Sequence, residues 1–135
     1  MDTLDKAARF RVMSSNKSRG TRSTETRFRF LLVRAGVRGW KMGHDLGRLG
    51  HPDIVFPRKR LAVFLDGCFW HGCRHCRSIP EANRKFWLTK LRRNKNRDRV
   101  VSSRLRAAGW KVIRIWEHEL RESKARVMAR VLRAR

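Results

Sequence analysis

No apolar run in the chain approaches the roughly 18 residues that a membrane-spanning helix needs, and the start "MDTLDKAARFRVM" has no signal-peptide core. Together these absences give the expectation of a cytoplasmic address with no membrane partner. Cysteine is scarce. There are three, an odd number for a disulfide framework, and cysteines clustered with histidine in a reducing compartment more often bind metal. Acid is scarce too: 11 Asp and Glu face 35 Lys and Arg, leaving a formal net charge of +24. Charge of one sign at that density repels itself and weakens the compact state, so a polyanion is the expected partner, nucleic acid before any other.

What is present argues for a folded protein. Of 135 residues 41% are apolar and five are tryptophan, which excludes plain disorder. The length suits one domain that buries roughly two thirds of its unfolded surface. Residues 1–23 are basic, Ser-rich and weakly periodic, and are read as an arm that orders on DNA, ahead of a single domain over 24–135. "STETRFRFLLVRAGVRGW" predicts a helix with Ser23 as N-cap, Phe28, Leu31, Leu32 and Ala35 on one stripe, and an end near Gly36. "DIVFP" and "RLAVFL" predict a hairpin whose second strand is buried on both faces. A long helix follows, from near Pro80 to a C-cap at Gly109, then a strand "WKVIRIW" and a final amphipathic helix with Leu120, Val127, Val131 and Met128 inward. The order αββαβα predicts an α/β fold, a small mixed sheet flanked by helices.

The stretch "DGCFWHGCRHC" holds all three cysteines. Cys68, Cys73 and Cys76 are three soft ligands for a tetrahedral zinc, and His75 or His118 is available as the fourth; the alternative is three thiols without metal. Asp53 and Asp66 stand at a strand start and a strand end beside apolar runs, where an unpaired charge is costly. Either they gather round a hard divalent ion such as Mg2+ or each pairs with a neighbouring arginine. His71 is suited to take a proton from water near neutral pH, though a zinc-ligand or plain loop role stays open. Phe69 and Trp70 in a glycine-flanked loop, and Trp87 opening the basic helix, are suited to stack on bases, while core burial suits Phe86, Trp110 and Trp116. Along that helix Lys90, Arg92, Arg93, Asn94, Arg97 and Arg99 offer phosphate contacts and, at Asn94, a base-edge contact.

Taken together, "HPDIVF", "VFLDGCFWHGC", "FWLTKLRRNKNRDRV" and "GWKVIRIWEHEL" resemble the very-short-patch-repair (Vsr) mismatch endonucleases, from about Met13 to about Leu120. The resemblance implies a restriction endonuclease-like fold of the PD-(D/E)XK superfamily with a structural zinc. It also implies Mg2+-dependent nicking of double-stranded DNA, 5′ to the thymine of a T:G mismatch arising from deaminated 5-methylcytosine. A monomer is implied, with other DNA repair proteins as further partners and nucleoid association following from the function. By the same resemblance Asp53 and the backbone carbonyl of Leu65 hold the metal, His71 activates water and Glu25 supports it, although a carboxylate there also favours the helix dipole. Phe69, Trp70 and Trp87 match the aromatics that wedge beside the mismatch, Lys90 and Asn94 match positions at the mispaired bases, and Met13 reaches the minor groove.

Two features depart from the family pattern. Asp66 stands where some members have a second active-site histidine, so it becomes a candidate metal ligand. Cys68, Cys73 and His118 fall at zinc positions, with Cys76 preferred over His75 for the fourth because its spacing from Cys73 lets both thiolates face one ion. A nuclease of this fold would carry lysine where Cys68 stands. Two rival readings share most of these features: a catalytically silent, zinc-stabilised DNA-binding protein, and a restriction-like nickase without mismatch specificity.

Overall fold

Residues 22–43, 45–68 and 79–135 are described by the computed structural model. Met13, Phe69, Trp70, His71, Cys73, His75 and Cys76 therefore lie outside the described residues. In chain order the elements are α1 (Arg22–Arg34), β1 (Lys41–Met42), β2 (Ile54–Phe56), β3 (Leu61–Asp66), α2 (Arg84–Ala107), β4 (Lys111–Trp116), α3 (Glu117–Glu122) and α4 (Lys124–Ala134). The strands form one mixed sheet in the order β1-β2-β3-β4, antiparallel except for the β3–β4 pair. Parallel neighbours need a long crossover, and α2 supplies it. No helix among the described residues is long and apolar enough to cross a membrane.

Alternation along β3 builds the core on both of its faces, as its unbroken apolar run predicts. Leu61, Val63 and Leu65 join Phe28 and Leu32 of α1, Ile113 and Ile115 of β4, Leu120 of α3, and Val127 and Val131 of α4. Ala62 and Phe64 face the other way and pack with Leu105 of α2. The sheet is thus a middle layer, with α1, α3 and α4 on one side and α2 on the other.

Both helix stops read from glycine hold. Gly36 and Gly109 have φ of 70° and 90°, a region only glycine enters cheaply. At α1 the Gly36 N–H donates to Val33 O and the Val37 N–H to Leu32 O; at α2 the Gly109 N–H donates to Arg106 O and the Trp110 N–H to Leu105 O. Each is a Schellman closure.

The differences from expectation are local. α1 already includes Arg22 and Ser23, so Ser23 lies inside the first turn and two residues of the expected arm belong to the helix. Ala35 is exposed because it follows the last helical residue. β1 was not foreseen: two residues in a glycine-rich stretch carry no period, and pairing with Ile54 and Val55 defines them. The single final helix divides at Ser123, whose φ of −140° leaves the helical region. That break lets Leu120 and the Val127/Val131 pair enter one core from two directions, with Met128 packed against it.

Candidate active site and nucleic-acid interface

Asp53 is fixed by backbone pairing on both flanks. Its N–H donates to Val63 O at 3.1 Å and its carbonyl accepts from Gly43 N at 2.8 Å. The carboxylate is buried, and Oδ2 accepts the Leu65 N–H at 2.8 Å, just beyond the end of the β2–β3 ladder. Since N–H and C=O of a strand residue share one edge, the Leu65 carbonyl lies on the Asp53 side of β3. The sequence-predicted pairing of these two residues is therefore geometrically available.

A cleft of about 320 Å³ opens at this point. Its walls include Asp53, Phe64 of β3, Arg114 of β4, Arg97 and Asp98 of α2, and His51, whose Nδ1 lies 3.4 Å from Asp45 Oδ1. Glu25 is not on these walls; it stands half-buried in the first turn of α1, on the helix that covers the opposite face of the sheet.

Asp66 meets an arginine. Arg114 Nη1 donates to Asp66 Oδ1 at 2.9 Å and Oδ2 at 3.2 Å, with the carboxylate side chain only 4% exposed. The same guanidinium donates through Nε to Ser102 Oγ at 2.9 Å and through Nη2 to Asp98 O at 3.1 Å, and lies 4.3 Å over the Phe64 ring. Sequence reasoning missed Arg114, His51 and Asp98. For Arg114 the signal was there: one charge inside the apolar strand "KVIRIW" requires a buried partner.

On the other side of the β3 end, Cys68 Sγ and His118 Nδ1 are 3.3 Å apart, from positions 50 residues apart in sequence. A tetrahedral zinc with ordinary S and N distances puts such ligands about 3.5 Å apart, so the pair fits two corners of the expected site. Cys73 and Cys76 lie outside the described residues, and among the described residues no three His, Cys, Asp or Glu gather as a metal site.

The outer face of the first half of α2 forms a shallow groove of about 580 Å³ lined by Lys85, Phe86, Lys90, Arg93, Asn94 and Arg97, among others, with no acid. The aromatic pair at its end reverses the expectation. Trp87 is buried while Phe86 is 46% exposed, because Trp87 begins the inward stripe that Leu91, Asn94, Ser102 and Leu105 continue. The rings meet edge to face at 5.1 Å, and Lys90 Nζ sits 5.9 Å from the Phe86 centroid. Trp110 and Trp116, expected in the core, are half-buried. Asn94 is buried in the one polar stretch of the stripe, its Oδ1 accepting from Arg97 Nη2 at 2.8 Å. Arg97 lines both groove and cleft.

A mixed α/β protein with a carboxylate-bearing cleft opening from a basic, aromatic-edged groove belongs to the class of enzymes that act on nucleic acid. The comparisons give the family: the model described as "DNA mismatch endonuclease Vsr" matches residues 1–78, and the chain is a member of that family. It is 46% identical over 118 residues to the type II nicking enzyme V.NaeI of Lentzea aerocolonigenes, covering 84% of this chain and 69% of the relative. To the type II nicking enzyme V.NmeDIP of Neisseria meningitidis serogroup C it is 37% identical over 122 residues, covering 89% and 80%. To the DNA mismatch endonuclease Vsr of Escherichia coli (strain K12) it is 38% identical over 122 residues, covering 89% and 76%.

Proposed function

We propose that the protein nicks one strand of duplex DNA 5′ to the thymine of a T:G mismatch, in an Mg2+-dependent reaction on a restriction endonuclease-like fold. The observation that carries this reading is the continuity of groove and cleft through Arg97: a backbone gripped along α2 leads to the phosphate nearest Asp53. The relative from Escherichia coli, named as a mismatch endonuclease, supports it.

In this reading Asp53 and the Leu65 carbonyl hold the metal, and the Leu65 N–H keeps the carboxylate aimed at it. Mg2+ bound there supplies Lewis-acid polarisation of the scissile phosphate. His71 takes the proton of the attacking water, and Glu25, which lies off the cleft walls in the first turn of α1, has a supporting role only. Phe69 and Trp70 wedge at the mismatch, which unstacks at lower cost than a matched pair, and Met13 acts from the opposite groove. Lys90 and Asn94 face the mispaired bases; Phe86, exposed over the groove, joins the wedge with Trp87 braced edge-on behind it. Cys68, Cys73, Cys76 and His118 hold a structural zinc that ties the Phe-Trp loop to the start of α3.

The test is an end-labelled duplex carrying T:G beside the same duplex carrying C:G, each with Mg2+. Selective nicking of the first is expected. Equal cutting of both would decide for a second reading, a nickase without mismatch preference, which the relatives V.NaeI and V.NmeDIP, described as type II nicking enzymes, favour.

A further inference from the structure

We propose that Arg114 is the cation that receives the scissile phosphate, and that Asp66 is a positioning residue that holds it rather than a metal ligand. This rests on the nuclease reading of the cleft but not on its mismatch preference. Some family members have a histidine where Asp66 ends β3, and nucleases of this fold have a lysine where Cys68 follows it; here neither residue brings a positive charge. A cleft built to cleave a phosphodiester still needs one opposite its carboxylate.

Two arginines line the cleft. Arg97 projects from an exposed helical position and is tied to Asn94 through one nitrogen. Arg114 is held on every nitrogen: Nη1 on Asp66, Nη2 on the Asp98 carbonyl, Nε on Ser102, with Phe64 beneath its plane. A guanidinium has five N–H donors in a rigid fork that suits phosphate. Nη1 is taken up by both Asp66 oxygens and stands 3.8 Å from Asp98 Oδ1, whereas the single bond from Nη2 to the Asp98 carbonyl leaves that nitrogen a second hydrogen for a phosphate oxygen. The side chain keeps 22% of its surface exposed, on the wall it shares with Asp53. Its orientation is set before substrate arrives, which is what makes a fixed charge effective against developing negative charge. Asp66, with both oxygens on Arg114 Nη1, acts through that arginine.

Removing one member of a buried ion pair strands the other, so the informative variant removes both charges: Arg114→Met with Asp66→Asn, checked for an unchanged thermal midpoint. The first readout involves no cutting. The wild type's own cut is mapped, and duplexes are made with that phosphate native or replaced by a neutral methylphosphonate. In EDTA the wild type is expected to bind the native duplex about tenfold more tightly, the strength of one charged hydrogen bond, and the variant to bind both equally. A variant that keeps the full preference overturns the proposal.

The second readout is single-turnover nicking with Mg2+ at saturating enzyme. The double variant is expected to be slowed about a hundredfold, with Arg114→Lys in between; an unchanged rate in either overturns the phosphate role. Asp66→Asn alone is expected to leave the Mg2+ midpoint where it is in wild type, whereas a rise of about tenfold makes Asp66 a metal ligand and overturns its positioning role. Absence of cutting by the wild type would sink the nuclease reading before any variant is made. Equal cutting of T:G and C:G duplexes would sink mismatch preference alone and leave the Arg114 comparison readable.

Discussion

At the residue scale, Asp53 is an acid in a protein whose partner is acidic, and its effect on binding and on chemistry must have opposite signs. Its charge repels phosphate until a cation neutralises it. Asp53→Asn keeps an oxygen for the Leu65 N–H and removes the charge. The expected outcome is loss of nicking by at least about a hundredfold, the order of several kcal/mol of metal stabilisation, together with equal or tighter duplex binding in EDTA. Weaker binding would mean that Asp53 acts by shaping the cleft. A separate expectation concerns Cys68 and His118. Metal analysis should give about one zinc per chain, falling in Cys68→Ser; an unchanged zinc content would remove the pair from the ligand set. The place of Asp53 at the mouth of an apolar strand was legible in the sequence, while a metal role and an arginine partner both stayed open there; the structure shows it buried on the cleft wall. An arginine partner for Asp66 stood among those alternatives, but which arginine was not legible, because Asp66 and Arg114 lie 48 residues apart and no local pattern links them.

At the element scale the glycines decide how α2 meets the sheet. Gly50 has φ of 121°, and a Cβ there would stand 2.8 Å from Val101 Cγ1, a contact no real side chain makes. Gly50→Ala therefore forces Val101, or α2 with it, to shift at the cleft wall. It is expected to destabilise the fold by about 1–3 kcal/mol, as overpacking does, and to slow nicking beyond the loss of folded protein. Gly109→Ala is expected to cost about 1–2 kcal/mol through its left-handed backbone alone, since Arg60 Nη1 at 3.5 Å leaves the Cβ room, and to leave the rate per folded molecule unchanged. Denaturant unfolding with nicking measured on the same samples separates the two. The long elements were readable because propensity, period and stop signal agree in them, as at Gly109. β1 and the break at Ser123 were not, because tertiary pairing and a shared core define them rather than any local preference. The Phe86–Trp87 order lies between: the period was visible, but "KFWLTKLRRNK" has too few apolar residues to fix its phase.

At the scale of the whole molecule, the +24 charge and the acid-free groove along α2 act together. Each phosphate neutralised by a lysine or arginine releases counterions, so the logarithm of the binding constant falls with the logarithm of salt at a slope of about −0.9 per contact. If the groove carries the duplex, Lys90→Ala and Arg93→Ala should each flatten that slope by about 0.9 on matched and mismatched DNA alike. Substituting a basic residue on the far side of the sheet, such as Lys59 or Arg135, should leave the slope unchanged. Equal flattening from both faces would mean that the net charge attracts DNA diffusely and that α2 is no particular track. The Asp53 variant gives the complementary signature, because it adds no phosphate contact: its slope stays that of the wild type while its chemistry is lost. Salt dependence measured on these variants therefore separates the surface that grips the duplex from the cleft that cuts it.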